Sequence, residues 1–263
     1  HHEADRELVR HGIGYTVYER LLNGSETKQT VFIPLESGVE YWMVEVTNHR
    51  QEVADLRFAT YVDWLLGGNG DWHREFHRLF METETLPEAQ IAWKHTGLRE
   101  NSRLIDKLPF VAYHAAKGGD KIAWCGDKAE FLGTPGNPAK PAGLEKDELE
   151  SGTGRWDDPI ASALVSLKLQ PGETRTIIFA LGAEKDRTDA VARASSLNEE
   201  SVRAALDRVK RHWDDVTEPT HIDTPDPLIN TLTNRWLRAQ AIMGRMDARS
   251  AYYQQGGAYG YRD

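Results

Sequence analysis

The hydrophobic pattern of this chain changes its period once, close to residue 183, and this change constrains the fold more than any other feature. From residue 8 to about residue 182, apolar and polar residues alternate in runs that end at Gly, Pro or Asn. Alternation with a period of two is typical of strands, and long strands joined by short turns favour antiparallel sheets. After residue 184 the apolar residues recur at helical spacing. The sequence therefore predicts a mostly β fold, with a large antiparallel β-sandwich over residues 1–183 followed by helices.

The strand predictions rest on turn signals as well as on alternation. Two predicted strands flank Asn23-Gly24, a dipeptide preferred in two-residue hairpin turns. Residues 40–47 predict a strand with Met43 on one face and Val46 on the other, and residues 56–64 follow with a strict period of two.

Two later hairpins are predicted from the same signals. The first joins residues 108–114 to residues 121–125, and the second joins residues 163–169 to residues 174–181 through Pro171-Gly172. In the second hairpin four apolar side chains are expected to point into the core: Leu167, Leu169, Ile178 and Ala180.

Residues 184–218 predict a helical linker. Asn198 is a residue type that caps helix N-termini, and Glu199 and Glu200 follow where the helix dipole favours carboxylates. One narrow apolar stripe, which is expected to lie along a neighbouring surface, consists of Val202, Leu206, Val209, Trp213 and Val216.

A further helix is predicted from about residue 226 to residue 248. Its apolar side is wide, with Leu228, Leu232 and Trp236 at helical spacing. One helix cannot bury such a side alone, so residues 219–263 are expected to open a second domain whose remainder lies downstream.

Composition excludes several classes of function. The net charge of -9 argues against binding to nucleic acid or to an anionic membrane surface. No apolar run approaches the roughly 18 residues that a membrane-spanning helix needs. Cys125 is the single cysteine, so no internal disulfide can form and a cytoplasmic location is expected. A periplasmic protein without disulfides is the alternative. The apolar neighbours of Cys125 predict a buried, inert thiol.

One group of residues resembles a metal site. His73, Glu75 and His77 would share one face of a strand, whereas on a helix only the two His would pair. No further ligand stands at a fixed spacing, and a charged, solvated face explains the same residues. We therefore predict no metal.

The terminal segment, residues 249–263, is the candidate binding site. It holds four Tyr, whose rings have an apolar face and a polar tip that suit sugars, and three Gly, which let the backbone approach a ligand. Arg262 offers a fork of donors beside the acceptor Asp263, as a ring of hydroxyls requires. A plain Gly-rich loop is the alternative. We interpret the segment as the first wall of a site.

The same segment resembles the glycoside phosphorylases of the cellobiose phosphorylase family. The likeness extends through Pro225-Asp226-Pro227 and residues 234–237, and upstream through residues 11–15, 31–34, 46–48 and 61–64. It is strongest to the branch that contains the phosphorylase-like part of cyclic β-1,2-glucan synthases and the cellobionic acid and β-1,2-oligoglucan phosphorylases.

The resemblance implies an architecture and a reaction. Family members have an N-terminal β-sandwich, a helical linker and an (α/α)6 barrel that carries the active site, so residues 219–263 would be the start of a barrel whose remainder is absent from this chain. They are commonly dimeric, which implies a homodimer. The reaction is a glycosyl transfer: inorganic phosphate attacks the anomeric carbon of a β-glucoside with inversion, giving α-glucose 1-phosphate. Phosphate is the co-substrate, and no cofactor is expected.

The resemblance also implies site residues. Arg262 and Asp263 would line the subsite of the transferred glucose, with Gly260, Tyr261 and Gln255 as further substrate-binding residues. Several disaccharide phosphorylases have Arg six residues before this Asp, where this chain has Gly257. That departure favours the glucan-synthase-like branch.

The general acid and the phosphate ligands are expected beyond residue 263. We therefore assign no catalytic residue and expect no turnover from this fragment alone, with Asp263 as the acid kept as the lesser option. Two alternatives remain open: a non-catalytic carbohydrate-binding or structural sandwich, and the phosphorylase-like domain of a cyclic β-1,2-glucan synthase.

Overall fold

A nine-stranded antiparallel sheet forms the main layer of the computed structural model, which describes residues 4–66, 78, 80–94, 110–146, 149, 153–155, 158–219 and 221–242. The strand order is β1-β2-β3-β4-β13-β9-β8-β7-β11. The strands are β1 (Arg6–Gly12), β2 (Tyr15–Leu22), β3 (Ser25–Phe32), β4 (Glu40–Asn48), β7 (Met81–Leu86), β8 (Ala89–Lys94), β9 (Val111–Lys117), β11 (Gly154–Arg155) and β13 (Thr174–Glu184).

A smaller sheet packs against the middle of the large one. It contains β5 (Ala54–Ala59), β10 (Lys121–Asp127) and β12 (Pro159–Leu169) in the order β10-β12-β5, and β6 (Val62–Asp63) pairs with β12. The apolar core between the sheets includes Val46, Trp124, Leu167, Ile177 and Phe179. The fold is therefore the mostly β, antiparallel sandwich that the sequence predicts.

The helices come mainly after the strands. A short helix α1 (Lys128–Leu132) and a 3₁₀ turn (Ala142–Glu145) lie between β10 and β11. After β13 come α2 (Arg187–Ser195) and α3 (Glu199–Thr217). The last described helical segment runs through α4 (Pro227–Thr231), a π-helical turn (Leu232–Trp236) and α5 (Leu237–Ile242).

The large sheet is the middle of three layers. Its second face is covered by α2 and α3, where Val202 and Val209 are 0% and 1% exposed. These side chains join the core on Met43, Ile91 and Ile178. The predicted apolar stripe of α3 does lie along a neighbouring surface, because α3 rests on the sheet.

Three predictions from short stretches of sequence are confirmed: a turn, a helix cap and a helix start. Asn23 and Gly24 have φ of 48° and 71°, and Leu22 pairs with Ser25 across that turn. The Asn198 carboxamide oxygen accepts a hydrogen bond from the Ser201 N–H at 2.9 Å, capping α3. The helix predicted from residue 226 is present as far as residue 242, the last residue described there.

Both predicted later hairpins are wrong. β9 pairs with β8 and β13 in the large sheet, whereas β10 pairs with β12 in the small one. β12 and β13 likewise belong to different sheets, so the turn at Gly172 carries the chain from one sheet to the other. Alternation predicts a strand and its faces, but it does not identify the strand's partner.

This change of partner also alters which side chains meet between the sheets. Leu167 and Leu169 do lie between them, but there they face Ile177 and Phe179. Ile178 and Ala180 belong to the core under α2 and α3 instead. Both faces of β13 are buried, so the sequence pattern does not distinguish them.

The strand predicted over residues 56–64 is interrupted. β5 ends at Ala59 and β6 begins at Val62. Between them the Thr60 hydroxyl accepts a hydrogen bond from the Ala163 N–H at 3.0 Å. A side chain that bonds to a neighbouring backbone group competes with the regular ladder, which explains the break.

Candidate functional site

The site residues predicted from the sequence lie outside the described part of the chain. These are Gln255, Gly260, Tyr261, Arg262 and Asp263. His73, Glu75 and His77 also lie outside it. Within the described ranges, no group of His, Cys, Asp and Glu side chains is arranged to hold a metal ion. Among those same residues, every helix is too short or too polar to cross a membrane.

Two adjoining cavities follow one face of α3. The first, of about 320 Å³, lies between α3 and strands β2–β4. The second, of about 350 Å³, lies between α3, the β1–β2 turn and the π-helical turn. Tyr15 and Lys210 line both cavities. We call the two together the α3 groove.

An ion-pair cluster forms one end of the groove. The Glu45 carboxylate accepts a hydrogen bond from Arg203 at 3.0 Å and lies 3.3 Å from the Lys28 ammonium. Arg203 also donates to the Thr176 hydroxyl at 3.1 Å. Burial would raise the pKa of Glu45, but the bonds from Arg203 and Lys28 outweigh burial and hold that pKa below its usual range. The carboxylate therefore stays ionised between two cations.

The β1–β2 turn supplies the middle of the groove. A Cβ on Gly12 would overlap the ring of Tyr15, and a Cβ on Gly14 would lie 2.6 Å from the Trp213 indole nitrogen. Gly14 also has φ of +81°, a backbone angle that residues with a side chain rarely adopt. The two glycines let the turn pack against α3 and bring the Tyr15 ring under Lys210, whose ammonium lies 5.3 Å from the ring centroid.

The helical segment after residue 226 closes the other end. Trp236 and Arg235 line the second cavity, and the Arg235 guanidinium lies 3.0 Å from the Asp214 carboxylate of α3. Asn234, 6% exposed, fixes this segment to the preceding chain. Its carboxamide oxygen accepts from the Ile222 N–H at 2.9 Å, and its nitrogen donates to the Ile222 carbonyl at 2.7 Å.

Another segment quoted for the resemblance, residues 61–64, has a structural role. Asp63 lies 3.0 Å from the Lys128 ammonium and 2.8 Å from the Arg78 guanidinium. The Tyr61 ring stacks on Phe131, and Trp64 is 4% exposed in the core. The contacts with Lys128 and Phe131 fasten this segment to α1, and Trp64 packs it against Met81 and Ala92 of the large sheet.

Sequence reasoning did not find the groove. It singled out residues 11–15 and 234–237 for the resemblance but did not connect them. The structure places six residues of these two segments on the same cavity: His11, Gly12, Ile13, Tyr15, Arg235 and Trp236. One signal was available. Charged residues recur on α3 at helical spacing beside the apolar stripe, at Arg203, Asp207, Lys210 and Asp214.

The architecture can be compared with known protein families. The family model described as "Glycosyl hydrolase 94, supersandwich domain" matches residues 1–200. This chain belongs to the glycosyl hydrolase 94 superfamily. The model of that superfamily's catalytic domain matches residues 212–263, so in this glycosyl hydrolase 94 chain α3 spans the junction of the two matches. The resemblance to the phosphorylase family is thereby confirmed, while domain boundaries at residues 183 and 218 stay predictions.

The curated relatives include a synthase and phosphorylases. The cyclic beta-(1,2)-glucan synthase NdvB of Rhizobium meliloti is 29% identical over 260 residues, covering 97% of this chain and 9% of its own length. The N,N'-diacetylchitobiose phosphorylase of Vibrio proteolyticus is 24% identical, covering 97% of this chain and 31% of its own. The cellobionic acid phosphorylase of Neurospora crassa is 20% identical, with 82% and 27% covered. The chain spans less than a third of each of these relatives.

Proposed function

We propose that this chain contributes the sandwich and the start of the catalytic domain of an inverting glycoside phosphorylase. The enzyme would cleave a β-glucoside, whether a β-glucan, a disaccharide or cellobionic acid, with inorganic phosphate. The observation that carries the proposal is the match of the catalytic-domain model to residues 212–263, which include Gly260, Tyr261, Arg262 and Asp263. Phosphorylases among the relatives support the same reaction class.

The chemistry of the terminal residues fits a sugar subsite. The Arg262 guanidinium donates and the Asp263 carboxylate accepts, so together they would hold neighbouring hydroxyls of the transferred glucose. A phosphate oxygen forms the new bond to the anomeric carbon as the glycosidic C–O bond breaks. A general acid outside this chain protonates the departing oxygen. Phosphate is itself the nucleophile, so no base is needed to activate water.

A second candidate follows from the synthase relative. The identity to the NdvB synthase and Gly257 in place of Arg favour the phosphorylase-like domain of a cyclic β-1,2-glucan synthase. A β-1,2-linked glucan would then be the substrate. Both candidates include a homodimer, a cytoplasmic location and no cofactor beyond the co-substrate phosphate.

The test uses the full-length parent protein with phosphate and a panel of β-glucosides. The panel contains sophorose, longer β-1,2-glucans, cellobiose, cellobionic acid and laminaribiose, and the assay detects glucose 1-phosphate. We expect release from one linkage class, and a loss of about 100-fold or more in kcat/KM for Asp263→Asn. Asp55→Asn, at an exposed position of β5, is the control and should leave the rate unchanged. No release from any panel member would refute the proposal.

The fragment itself is expected to be inactive. The 263-residue chain holds the proposed glucose subsite but no assigned general acid or phosphate site. Measurable phosphorolysis by this chain alone would show that the acid lies within it, and Asp263 would then be the candidate.

A further inference from the structure

We propose that the junction between the sandwich and the catalytic domain is a rigid joint. The helical segment over residues 227–242, which we call the junction helix, is tied both to the end of α3 and to the connecting segment, residues 221–226. The ties lie within residues 212–263, which match the catalytic-domain model. The joint requires no phosphorolysis, so this proposal goes beyond the proposed function and does not depend on it.

The first tie is a pair of hydrogen bonds between Asn230 of the junction helix and the backbone of Thr224. The Asn230 carboxamide oxygen accepts from the Thr224 N–H at 2.8 Å, and the carboxamide nitrogen donates to the Thr224 carbonyl at 2.9 Å. The Thr224 hydroxyl donates to the same carboxamide oxygen at 2.7 Å. One side chain therefore satisfies both backbone groups of a residue that lies outside any helix or strand.

The second tie repeats this arrangement four residues later on the helix, where the Asn234 carboxamide bonds to both backbone groups of Ile222. The order is reversed between the two partners, so the connecting segment runs antiparallel to the junction helix. Four residues of an α-helix rise about 6 Å, and two residues of extended chain span about 7 Å. The two spacings match, and Pro225 favours an extended conformation at Thr224.

Two arginines tie the junction helix to the last turn of α3. The Arg238 guanidinium donates to the carbonyl of Thr217, the last residue of α3. The final carbonyls of a helix have no partner within it, and a cation is favoured there by the helix dipole. Arg235 lies three residues before Arg238 and pairs with Asp214 at 3.0 Å. That pair is exposed and contributes little alone, so the bond from Arg238 is the main tie at this end.

A flexible linker is the alternative description of this junction. Domain boundaries commonly fall in exposed, polar stretches that contain proline, and the connecting segment has that composition. Its backbone contacts argue against flexibility, because the N–H groups at residues 222 and 224 are both bonded to side chains of the helix that follows. Asn234 and Thr217 are 6% and 5% exposed, so water has little access to either end of the joint. The sandwich and the start of the catalytic domain therefore move as one body.

The experiment measures hydrogen–deuterium exchange of the full-length parent protein by mass spectrometry, with fragmentation that resolves single amides. An amide exchanges only when its hydrogen bond opens, so a rigid joint protects both bonded amides of the connecting segment. We expect the N–H groups of Ile222 and Thr224 to exchange at least about tenfold more slowly than in an unstructured peptide of the same sequence.

Two variants assign the protection to the asparagines. Asn234→Ala should speed exchange at Ile222 about tenfold and affect Thr224 less, and Asn230→Ala should give the reverse pattern. Gln240→Ala, at an exposed position of the junction helix, is the control and should change neither amide. The melting temperature of each variant shows whether it is folded.

A third variant tests the tie to α3. Arg238→Met removes the guanidinium but keeps a long side chain. The Glu218 N–H closes the last turn of α3 by donating to the Asp214 carbonyl at 2.8 Å. We expect its exchange to rise about three- to tenfold, with no change at the Val202 N–H in the first turn. Arg211→Met, which removes an exposed cation from α3, is the matched control and should leave both amides unchanged.

The outcomes separate this proposal from the proposed function. Exchange at the peptide rate at Ile222 and Thr224 in the wild type overturns the joint, since the connecting segment is then a flexible linker. Unchanged exchange in both folded asparagine variants also overturns it. If either of these variants fails to fold, Arg238→Met decides, and unchanged exchange at Glu218 overturns the joint. Faster exchange at the matching amide in each variant supports the joint, whether or not the protein releases glucose 1-phosphate.

Discussion

Gly14 packs directly against the indole of Trp213, so closely that a Cβ at position 14 would lie 2.6 Å from the ring nitrogen. Trp213 is near the end of α3, and Gly14 is at the tip of the first hairpin. The contact packs the first hairpin against α3, beside the second cavity, which Trp213 lines. The glycine is needed both for its conformation and for the space it leaves.

Replacing Gly14 separates these two requirements. Gly14→Ala should lower the free energy of unfolding by about 1–2 kcal/mol for the positive φ, and by about 1–3 kcal/mol more for the overlap with Trp213. Gly172→Ala is the control, since Gly172 has φ of +76° but nothing within 4 Å of its Cβ position. Urea unfolding of both variants measures the difference. Equal losses would show that Trp213 moves aside freely.

His114 makes the stability depend on pH. The imidazole is fully buried between the sheets; its Nδ1 donates to the Ala180 carbonyl at 3.1 Å, and its Nε2 accepts from the Thr60 hydroxyl at 2.8 Å. The carbonyl can only accept, which places the proton on Nδ1. Burial lowers the pKa from 6.5 to about 4, although the bond to Ala180 opposes the shift.

The sign follows from proton binding. Between pH 6.5 and pH 4 the unfolded chain binds a proton at His114 and the folded protein does not. The contribution of His114 to the free energy of unfolding is therefore complete above pH 6.5 and is lost as the pH falls toward 4. The loss is about 3 kcal/mol, because one pKa unit corresponds to about 1.4 kcal/mol. Urea unfolding across this window measures it. An NMR titration in which the His114 ring becomes protonated near pH 6.5 would contradict the prediction.

Cys125 should react only when the protein unfolds. The thiol is 0% exposed, and burial is the main cause that raises its pKa to about 12, with the Glu130 carboxylate adding to the shift. The thiolate is the reactive form, so alkylation by iodoacetamide at pH 8 should be negligible in the native protein and complete in denaturant. The labelled fraction should follow the unfolding curve. Rapid labelling of the native protein would indicate local opening around α1.

Asn234 should hold the segment after α3 in place. Asn234→Ala removes both bonds to Ile222, and we expect a loss of about 2 kcal/mol in the free energy of unfolding. Asn234→Asp keeps the acceptor for the Ile222 N–H but sets a second oxygen against the Ile222 carbonyl, so it should also destabilise. Gln240→Ala, at an exposed position of α5, is the control. Calorimetry of the three variants tests the order.

The sequence predicts local structure better than partners. Asn23-Gly24 and Asn198 determine a turn and a helix start through their own backbone contacts, so both predictions are confirmed. Strand pairing depends on residues far away in the chain. The pattern of β13 is compatible with either sheet because both of its faces are buried, and the predicted hairpin with β12 was wrong for that reason.

The two candidate sites also differ in how far apart their residues lie in the sequence. The terminal motif containing Arg262 and Asp263 is contiguous, so sequence alone can propose it, although it lies outside the described residues. The α3 groove joins Tyr15 to Trp236 from opposite ends of the chain. Nothing in the pattern near either residue indicates that they share a cavity, and only the docking of the hairpin on α3 reveals it.

The burial of the large sheet on both faces limits where a shorter expression fragment can end. A fragment that ends at residue 183 would leave Met43, Ile91 and Ile178 facing water, where α2 and α3 now cover them. An open apolar sheet face of this kind promotes self-association. An expression fragment that keeps this face covered must therefore extend through Thr217, so the helices that look like a connector by sequence belong in the same fragment as the sandwich.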